Sequence, residues 1–217
     1  MRSETLTRQN LFTAASILAG RDEDLARILK EQGPPPLWKR PQGFPTLVRI
    51  ILEQQVSLAS AAAVYNRLLN ALDPFQPASF IAAGESHFRS LGVTRQKASY
   101  LFQLAEQLEG KHLRLSALSR MNDDEAKVAL MSIKGIGSWS ADIYLLMAMR
   151  RSDIWPTGDL ALATSLMQLK SLKRRPTEDR LHRLAEGWRP YRAVAARMLW
   201  QDYLGKRKGK RGKGKKI

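Results

Sequence analysis

Residues 130–142 read Leu130-Met-Ser-Ile-Lys-Gly-Ile-Gly-Ser-Trp-Ser-Ala-Asp142, and this stretch decides the predicted fold. Gly135 and Gly137 interrupt two runs of helical periodicity, so the sequence predicts two helices joined by a glycine hairpin. Glycine lets the backbone turn sharply and approach a partner closely. The first N–H groups of the second helix lack intrahelical acceptors and, with the helix dipole, favour an anion. An ordinary tight turn between packed helices is the alternative interpretation.

The composition is that of a basic globular protein. The 217 residues carry a net charge of +16, which favours a polyanion partner, either nucleic acid or an anionic membrane surface. No apolar run is long enough to span a bilayer, and the N-terminus lacks the apolar region of a signal peptide. The absence of cysteine excludes disulfides, thiolate zinc sites, iron–sulfur clusters and a cysteine nucleophile. The three histidines lack metal-ligand spacing, so no metal site is predicted.

The hydrophobic pattern predicts an all-α protein, because no segment shows a convincing alternation with period two. Helices are predicted over residues 8–31 with a break near Gly20, 46–72, 77–83, 85–90, 94–109, 116–119, 122–132, 138–149, 160–169, 177–186 and 190–204.

The C-terminal segment 205–217 has a different composition, in which glycines separate eight positive charges. Like charges repel and nothing apolar precedes Ile217, so the sequence predicts a disordered, extended basic tail. Its function is predicted to be a nucleic-acid tether, and a solubilising tail is the alternative.

Five further stretches accompany the hairpin in a fixed order. They are residues 50–57, 91–100, 155–160 and 188–192, and the closing Trp200. Together with residues 133–142 they resemble the helix-hairpin-helix (HhH-GPD) superfamily of DNA base-excision glycosylases, most closely its 3-methyladenine DNA glycosylase II (AlkA-like) type. The resemblance covers residues 44–203, and the ordered set is specific although each stretch alone is a weak signal.

The resemblance implies an all-α fold of two helical subdomains with a cleft between them. Larger members carry an N-terminal β-rich domain, for which residues 1–45 have neither the room nor the strand pattern. We therefore expect residues 1–45 to form a helical segment packing with the C-terminal helices. Residues 46–204 would form the glycosylase core, with the hairpin near residues 130–149.

The family's catalytic aspartate falls on Asp159, which the resemblance places beneath C1′ of the damaged nucleotide. A carboxylate there stabilises the oxocarbenium-like state that forms as the base leaves. From the sequence alone, Asp159 is also a good N-cap for residues 160–169. Bifunctional relatives place a lysine where this chain has Trp139, so a monofunctional enzyme without lyase activity is implied.

The resemblance also assigns the remaining site residues. Trp139, Trp200 and Tyr144 are the candidate rings of the base pocket, because an aromatic face attracts a cationic alkylated purine; core packing is the alternative for each tryptophan. Some relatives carry a pocket aromatic where this chain has Ile143.

The wedge that fills the space of the extruded base maps to Gln55, which could instead be a polar cap residue. The DNA-backbone contacts map to Gly135, Gly137, Ser138, Trp139 and Thr164.

No cofactor is predicted, although relatives often hold a monovalent cation on carbonyls of the hairpin. The predicted partner is double-stranded DNA with alkylated bases, bound by a monomer in a bacterial, nucleoid-associated cytoplasmic setting, with no membrane partner. The predicted reaction is hydrolytic release of 3-methyladenine and 7-methylguanine. A hairpin glycosylase for hypoxanthine or oxidised bases, and a non-catalytic hairpin module that only binds DNA, are the alternatives.

Overall fold

The structure, a computed structural model, describes the backbone of residues 3–213 and the side chains of residues 3–206. Within these residues the fold is all-α, as predicted, apart from an isolated antiparallel bridge between Thr5 and Arg151. None of the helices in this part of the chain combines the length and the apolar character that crossing a membrane requires.

The described residues form eleven α-helices, a 3₁₀ helix and a π-helical turn. In chain order they are α1 (Arg8–Ala19), α2 (Glu23–Gln32), α3 (Phe44–Glu53), α4 (Leu58–Ala71), α5 (Pro77–Ser90), α6 (Arg95–Glu109), the 3₁₀ helix (Leu115–Arg120), α7 (Asp123–Met131), α8 (Ser138–Ile143), the π-helical turn (Tyr144–Ala148), α9 (Leu160–Leu169), α10 (Glu178–Glu186) and α11 (Arg192–Lys213).

The chain divides into two compact units. Within the described residues, unit 1 contains Arg40–Met149, and unit 2 contains Ser3–Lys39 and Arg150–Lys213. The residues after 149 therefore group with the N-terminal segment, whereas the sequence prediction had placed residues 46–204 in one core. The physical reason is that α1 and α2 bury their apolar faces against α11.

Unit 1 is built around α3, whose buried face contains Leu47, Ile50 and Ile51. Helices α4, α6 and α8 pack against α3, and α5 packs against α6. Gly84, at φ +73°, kinks α5, which agrees with the two short helices predicted there.

The helix predicted over residues 46–72 is in fact two helices, α3 and α4. The turn between them contains Gln55 at φ +56°, a left-handed conformation that ends a helix. Ser57 then caps α4 by accepting the N–H of Ser60 at 3.1 Å. The single-helix prediction was wrong because the apolar spacing continues across this turn.

Unit 2 has α11 at its centre, with α1, α2, α9 and α10 packed against it. Helix α1 starts with a reciprocal capping box between Thr7 and Asn10. Helix α11 continues to Lys213 instead of ending at 204. The predicted disordered tail, residues 205–217, falls largely outside the residues whose side chains the structure describes, so its proposed role stays a prediction.

Candidate functional site

The hairpin of unit 1 joins α7 to α8 and needs glycine at position 135. Gly135 has φ +89°, which side-chain-bearing residues rarely adopt. A Cβ at this position would overlap the ring of Tyr100, which lies on α6. Both the backbone angle and the close approach to Tyr100 therefore require glycine.

Gly137 has a different role, because it is the N-cap residue of α8 at φ −86°. No side chain caps this helix, and nothing lies within 4 Å of the position that a Cβ of Gly137 would occupy. The space before the helix is thus open to a ligand that could accept hydrogen bonds from the first turn. Ser138 and Trp139, both half-buried, form the first turn of α8.

Gln54 connects the turn after α3 to the hairpin. Its side-chain amide donates to the carbonyl of Gly135 at 2.8 Å and to Oγ of Ser140 at 2.9 Å. The Nζ of Lys97 donates to the carbonyls of Leu52 and Gln54, at 2.8 and 2.7 Å. Burial lowers the pKa of Lys97. These contacts fix the turn to the hairpin within unit 1.

The predicted wedge residue, Gln55, is at the exposed tip of this fixed turn. Its positive φ stores on the order of 1 kcal/mol of backbone strain. Val56 and Leu58 beside it are 46% and 67% exposed. A strained, exposed position on a rigid support is typical of residues that act on a partner.

Asp159 lies in unit 2, where it caps α9 as the sequence predicted. Its Oδ1 accepts the N–H groups of Ala161 and Leu162, each at 2.9 Å. The same oxygen accepts the indole N–H of Trp200 at 3.2 Å. These donors fix the orientation of a carboxylate that is only 8% exposed.

A second tryptophan, Trp38, lies next to Trp200 and forms a cluster with Asp159 and Trp200. Its ring packs edge-to-face against that of Trp200, with 6.3 Å between the centroids. Trp38 is half-buried and has φ +43°. Trp38 was not among the predicted site residues, because it lies between the helices predicted over residues 8–31 and 46–72, where the sequence shows no helical periodicity. A tryptophan among prolines was the available signal.

Tyr144, predicted to line the base pocket, is a core residue of unit 1. Its side chain is 1% exposed, and its hydroxyl accepts the N–H of Gly43 at 2.9 Å. Burial raises the pKa of Tyr144, and the bond from Gly43 partly offsets this effect. The ring is enclosed in the core of unit 1, and its place in the base pocket stays a prediction.

The other predicted residues divide between the units. Unit 1 contains Gly135, Gly137, Ser138, Trp139 and Gln55, whereas unit 2 contains Asp159, Thr164 and Trp200. The structure brings Asp159 and Trp200 into direct contact. Thr164 is on α9 and not on the hairpin, and its hydroxyl donates to the carbonyl of Leu160 at 2.6 Å.

Two other aspartates near the motif are committed to ion pairs. Asp142 pairs with Lys127 at 2.8 Å. Asp153 pairs with Arg192 at 2.9 Å and with Arg189 at 3.0 Å. Both carboxylates therefore have cationic structural partners.

Two helices, α7 and α8, are joined by a glycine turn, and this arrangement defines a helix-hairpin-helix protein. The capped carboxylate of Asp159 belongs to the same chain. The profile of the HhH-GPD superfamily of base excision DNA repair proteins matches residues 48–190. The chain belongs to this superfamily, and the resemblance inferred from the motifs is confirmed.

Individual relatives cover nearly the whole chain. DNA-3-methyladenine glycosylase 1 of Schizosaccharomyces pombe is 27% identical, over 88% of this chain and 87% of its own length. The alkylbase DNA glycosidase-like protein mag2 of the same yeast is 26% identical, over 88% of this chain and 93% of its own. The crystal structure of a DNA-3-methyladenine glycosidase from Bacillus halodurans is similar at 26% identity and a TM-score of 0.75, covering 94% of this chain and 93% of that one.

Proposed function

We propose that the protein is a monofunctional DNA glycosylase that removes alkylated purines, such as 3-methyladenine and 7-methylguanine, in base excision repair. The observation that carries this proposal is the cluster of Asp159 with Trp200 and Trp38, found in a chain of the HhH-GPD superfamily. It places an oriented carboxylate beside electron-rich rings. One of the named relatives, DNA-3-methyladenine glycosylase 1 of Schizosaccharomyces pombe, is by its name an enzyme for this class of base.

The proposed reaction is hydrolysis of the N-glycosidic bond. The base leaves with the bonding electrons, so positive charge develops at C1′, and the carboxylate of Asp159 stabilises it. Water then adds to C1′ and loses a proton, which yields an abasic sugar and the free base. The bonds from Ala161, Leu162 and Trp200 keep the carboxylate oriented throughout.

The aromatic rings supply the proposed selectivity. Alkylation at N3 or N7 gives the purine a positive charge, and an aromatic face attracts a cation by about 0.5–2 kcal/mol. Trp200 remains a pocket candidate, Trp38 joins it, and Trp139 stays a candidate from the hairpin. Neutral lesions such as 8-oxoguanine lack this attraction, which favours the alkylated-base scope over the oxidised-base alternative.

The absence of lyase activity is part of the proposal. An amine nucleophile is needed to form a Schiff base with the sugar. Trp139 occupies the position that carries this lysine in bifunctional relatives, and an indole cannot replace the amine. Water is therefore the proposed nucleophile, and base release would leave the strand intact.

The hairpin is proposed to hold the DNA backbone through the N–H groups at the start of α8, with Ser138 as a helper. Such contacts position the duplex without reading its sequence. Gln55 is proposed to fill the space of the extruded base, because it projects from a turn that Gln54 and Lys97 hold rigid. Thr164 stays a proposed helper from unit 2.

A monovalent cation in the hairpin also stays a proposal. The carbonyl of Gly135 accepts from Gln54 and that of Ile133 accepts from Ile136, so each retains a second lone pair. These two carbonyls fit such a cation, which would add to the rigidity of the turn.

Asp159→Asn tests the proposal, with Asp22→Asn as a matched control. Asp22 caps α2 in the same unit, and it too accepts two backbone N–H groups and an indole N–H. Asparagine caps a helix about as well as aspartate, so both variants should fold. Release of free base from methylated DNA should fall about 10²–10³-fold for Asp159→Asn and stay unchanged for Asp22→Asn.

Two further measurements complete this test. Binding of methylated duplex should survive in Asp159→Asn, and wild-type protein should release no base from DNA that contains 8-oxoguanine. Retained excision in Asp159→Asn, or none in the wild type despite firm binding, would contradict the catalytic role and favour a DNA-binding module.

A further inference from the structure

Unit 2 contains a basic cavity that the proposed function does not use. It has a volume of about 450 Å³, is open to solvent, and lies between the end of α9 and the first half of α10. Five cations line it, namely Lys173, Arg174, Arg175, Arg180 and Arg183. We call this feature the 173–183 cavity.

All five side chains of the 173–183 cavity are exposed, and within residues 3–206 none of them forms an ion pair. Glu178 and Asp179 are the acidic residues in this part of the sequence, and neither lines the cavity. Glu178 instead accepts the N–H of Gly158 at 3.1 Å. Positive charge is therefore concentrated here without internal neutralisation.

The chemistry of the lining favours a polyanion over a small ligand. A pocket of this volume for a small molecule is usually lined by apolar and aromatic groups with a few buried polar atoms. Here the cations are exposed, so a single small anion would be held weakly and screened by salt. A chain of phosphates can engage several of these cations at once, and each contact releases counterions.

An anionic membrane surface is a poorer match. Binding at the lipid interface needs an apolar face that enters the headgroup region. Among the described residues, the exposed large hydrophobic side chains are Phe12, Val56, Leu58, Leu69, Val128, Met131, Leu160 and Leu204. None of them lines the 173–183 cavity.

We propose that the 173–183 cavity is a second DNA-binding site, which holds phosphates of duplex DNA independently of base sequence and damage. The choice of DNA as the partner rests on the proposed function. The hairpin in unit 1 and the cavity in unit 2 would each contribute phosphate contacts. The salt dependence of the affinity for DNA reports the total number of these contacts.

The test uses the full chain with Lys173, Arg174 and Arg175 replaced by glutamine. The matched control replaces Arg89, Lys111 and Arg114, which are exposed and, among the described side chains, also form no ion pair. Both variants lose three charges and keep the same tail. Affinity for a short undamaged duplex is measured by fluorescence anisotropy over a series of salt concentrations.

The logarithm of affinity falls with the logarithm of salt concentration by about 0.9 per phosphate contact. We expect the slope of the cavity variant to be shallower than wild type by about 2–3, and that of the control by less than about 0.5. A second cavity variant, Arg180→Gln with Arg183→Gln, should be shallower by about 1–2.

Equal slopes for wild type and both cavity variants would overturn the proposal, as would an equal reduction in the control. Competition by inorganic phosphate, at an ionic strength matched with chloride, would instead reveal a small-anion site and also overturn it. Undamaged DNA is bound without base release, so this measurement stands even if wild-type protein excises nothing.

Discussion

Asp22 and Asp159 have nearly the same local structure, yet only one is proposed to act in catalysis. Each caps a helix of unit 2, accepts N–H groups two and three residues ahead, and accepts an indole N–H. Each indole also packs on a second tryptophan, Trp188 on Trp155 and Trp200 on Trp38. Capping and an indole bond therefore do not identify a catalytic carboxylate.

The two sites differ in how the donors are distributed. At Asp22 the amides bond Oδ1 and the indole of Trp188 bonds Oδ2, whereas at Asp159 the amides and the indole of Trp200 all bond Oδ1. Asp159 also lies in the segment that carries the superfamily match, residues 48–190, and Asp22 does not. The comparison shows that the functional assignment depends on the position of Asp159 in the motif order as well as on its local geometry.

The largest expected difference is in excision activity, between the two single variants in which either aspartate is replaced by alanine. Asp22→Ala and Asp159→Ala each remove a helix cap, and each should lower the free energy of unfolding by about 1–2 kcal/mol in urea denaturation. Excision should fall about 10²–10³-fold in Asp159→Ala alone. An equal loss of excision in the two variants would mean that stability, and not the carboxylate, limits activity.

Gly135→Ala should weaken DNA binding without changing either carboxylate, so it separates a binding defect from a catalytic one. Strain at φ +89° and overlap with Tyr100 should lower the free energy of unfolding by about 1–3 kcal/mol and weaken duplex binding. Gly20→Ala is the matched control, since Gly20 lies outside the hairpin, has φ −71°, and leaves ordinary van der Waals space for a Cβ. Asp159→Ala should resemble wild type in the binding assay, and a binding defect like that of Gly135→Ala would contradict its catalytic role.

The smallest expected effect comes from Trp200→Phe and Trp188→Phe. Each removes an indole donor to a capping carboxylate, so each should lower the free energy of unfolding by about 1 kcal/mol. Phenylalanine is a weaker cation–π partner than tryptophan, and excision of 7-methylguanine should therefore fall several-fold in Trp200→Phe only. Unchanged excision there would remove Trp200 from the base pocket.

Local signals predicted much of the fold. The break near Gly20 and the Asp159 cap of α9 depend on residues close in sequence, and the structure confirms both. The break between α3 and α4 was missed because it depends on distant residues. Lys97 and the hairpin hold Gln54 there, and no glycine or proline marks the turn.

The candidate site was predicted less completely than the fold. Motif order assigned roles to Asp159 and to the hairpin glycines from the residues next to them in the sequence. It could not distinguish a ring that faces a ligand from one enclosed in the core. Tyr144 illustrates this, since the enclosure of its ring depends on packing and on the N–H of Gly43. Trp38 was missed because its contact with Trp200 joins residues far apart in the chain.

The bonds made by Gln54 have a consequence for the thermodynamics of recognition. Its amide fastens the turn at residues 54–57 to the hairpin, and Lys97 secures its carbonyl. The loss of loop entropy is thus incurred when the chain folds and not when a ligand arrives. A partner that meets this part of unit 1 encounters a preorganised surface, so association there should proceed with little induced fit.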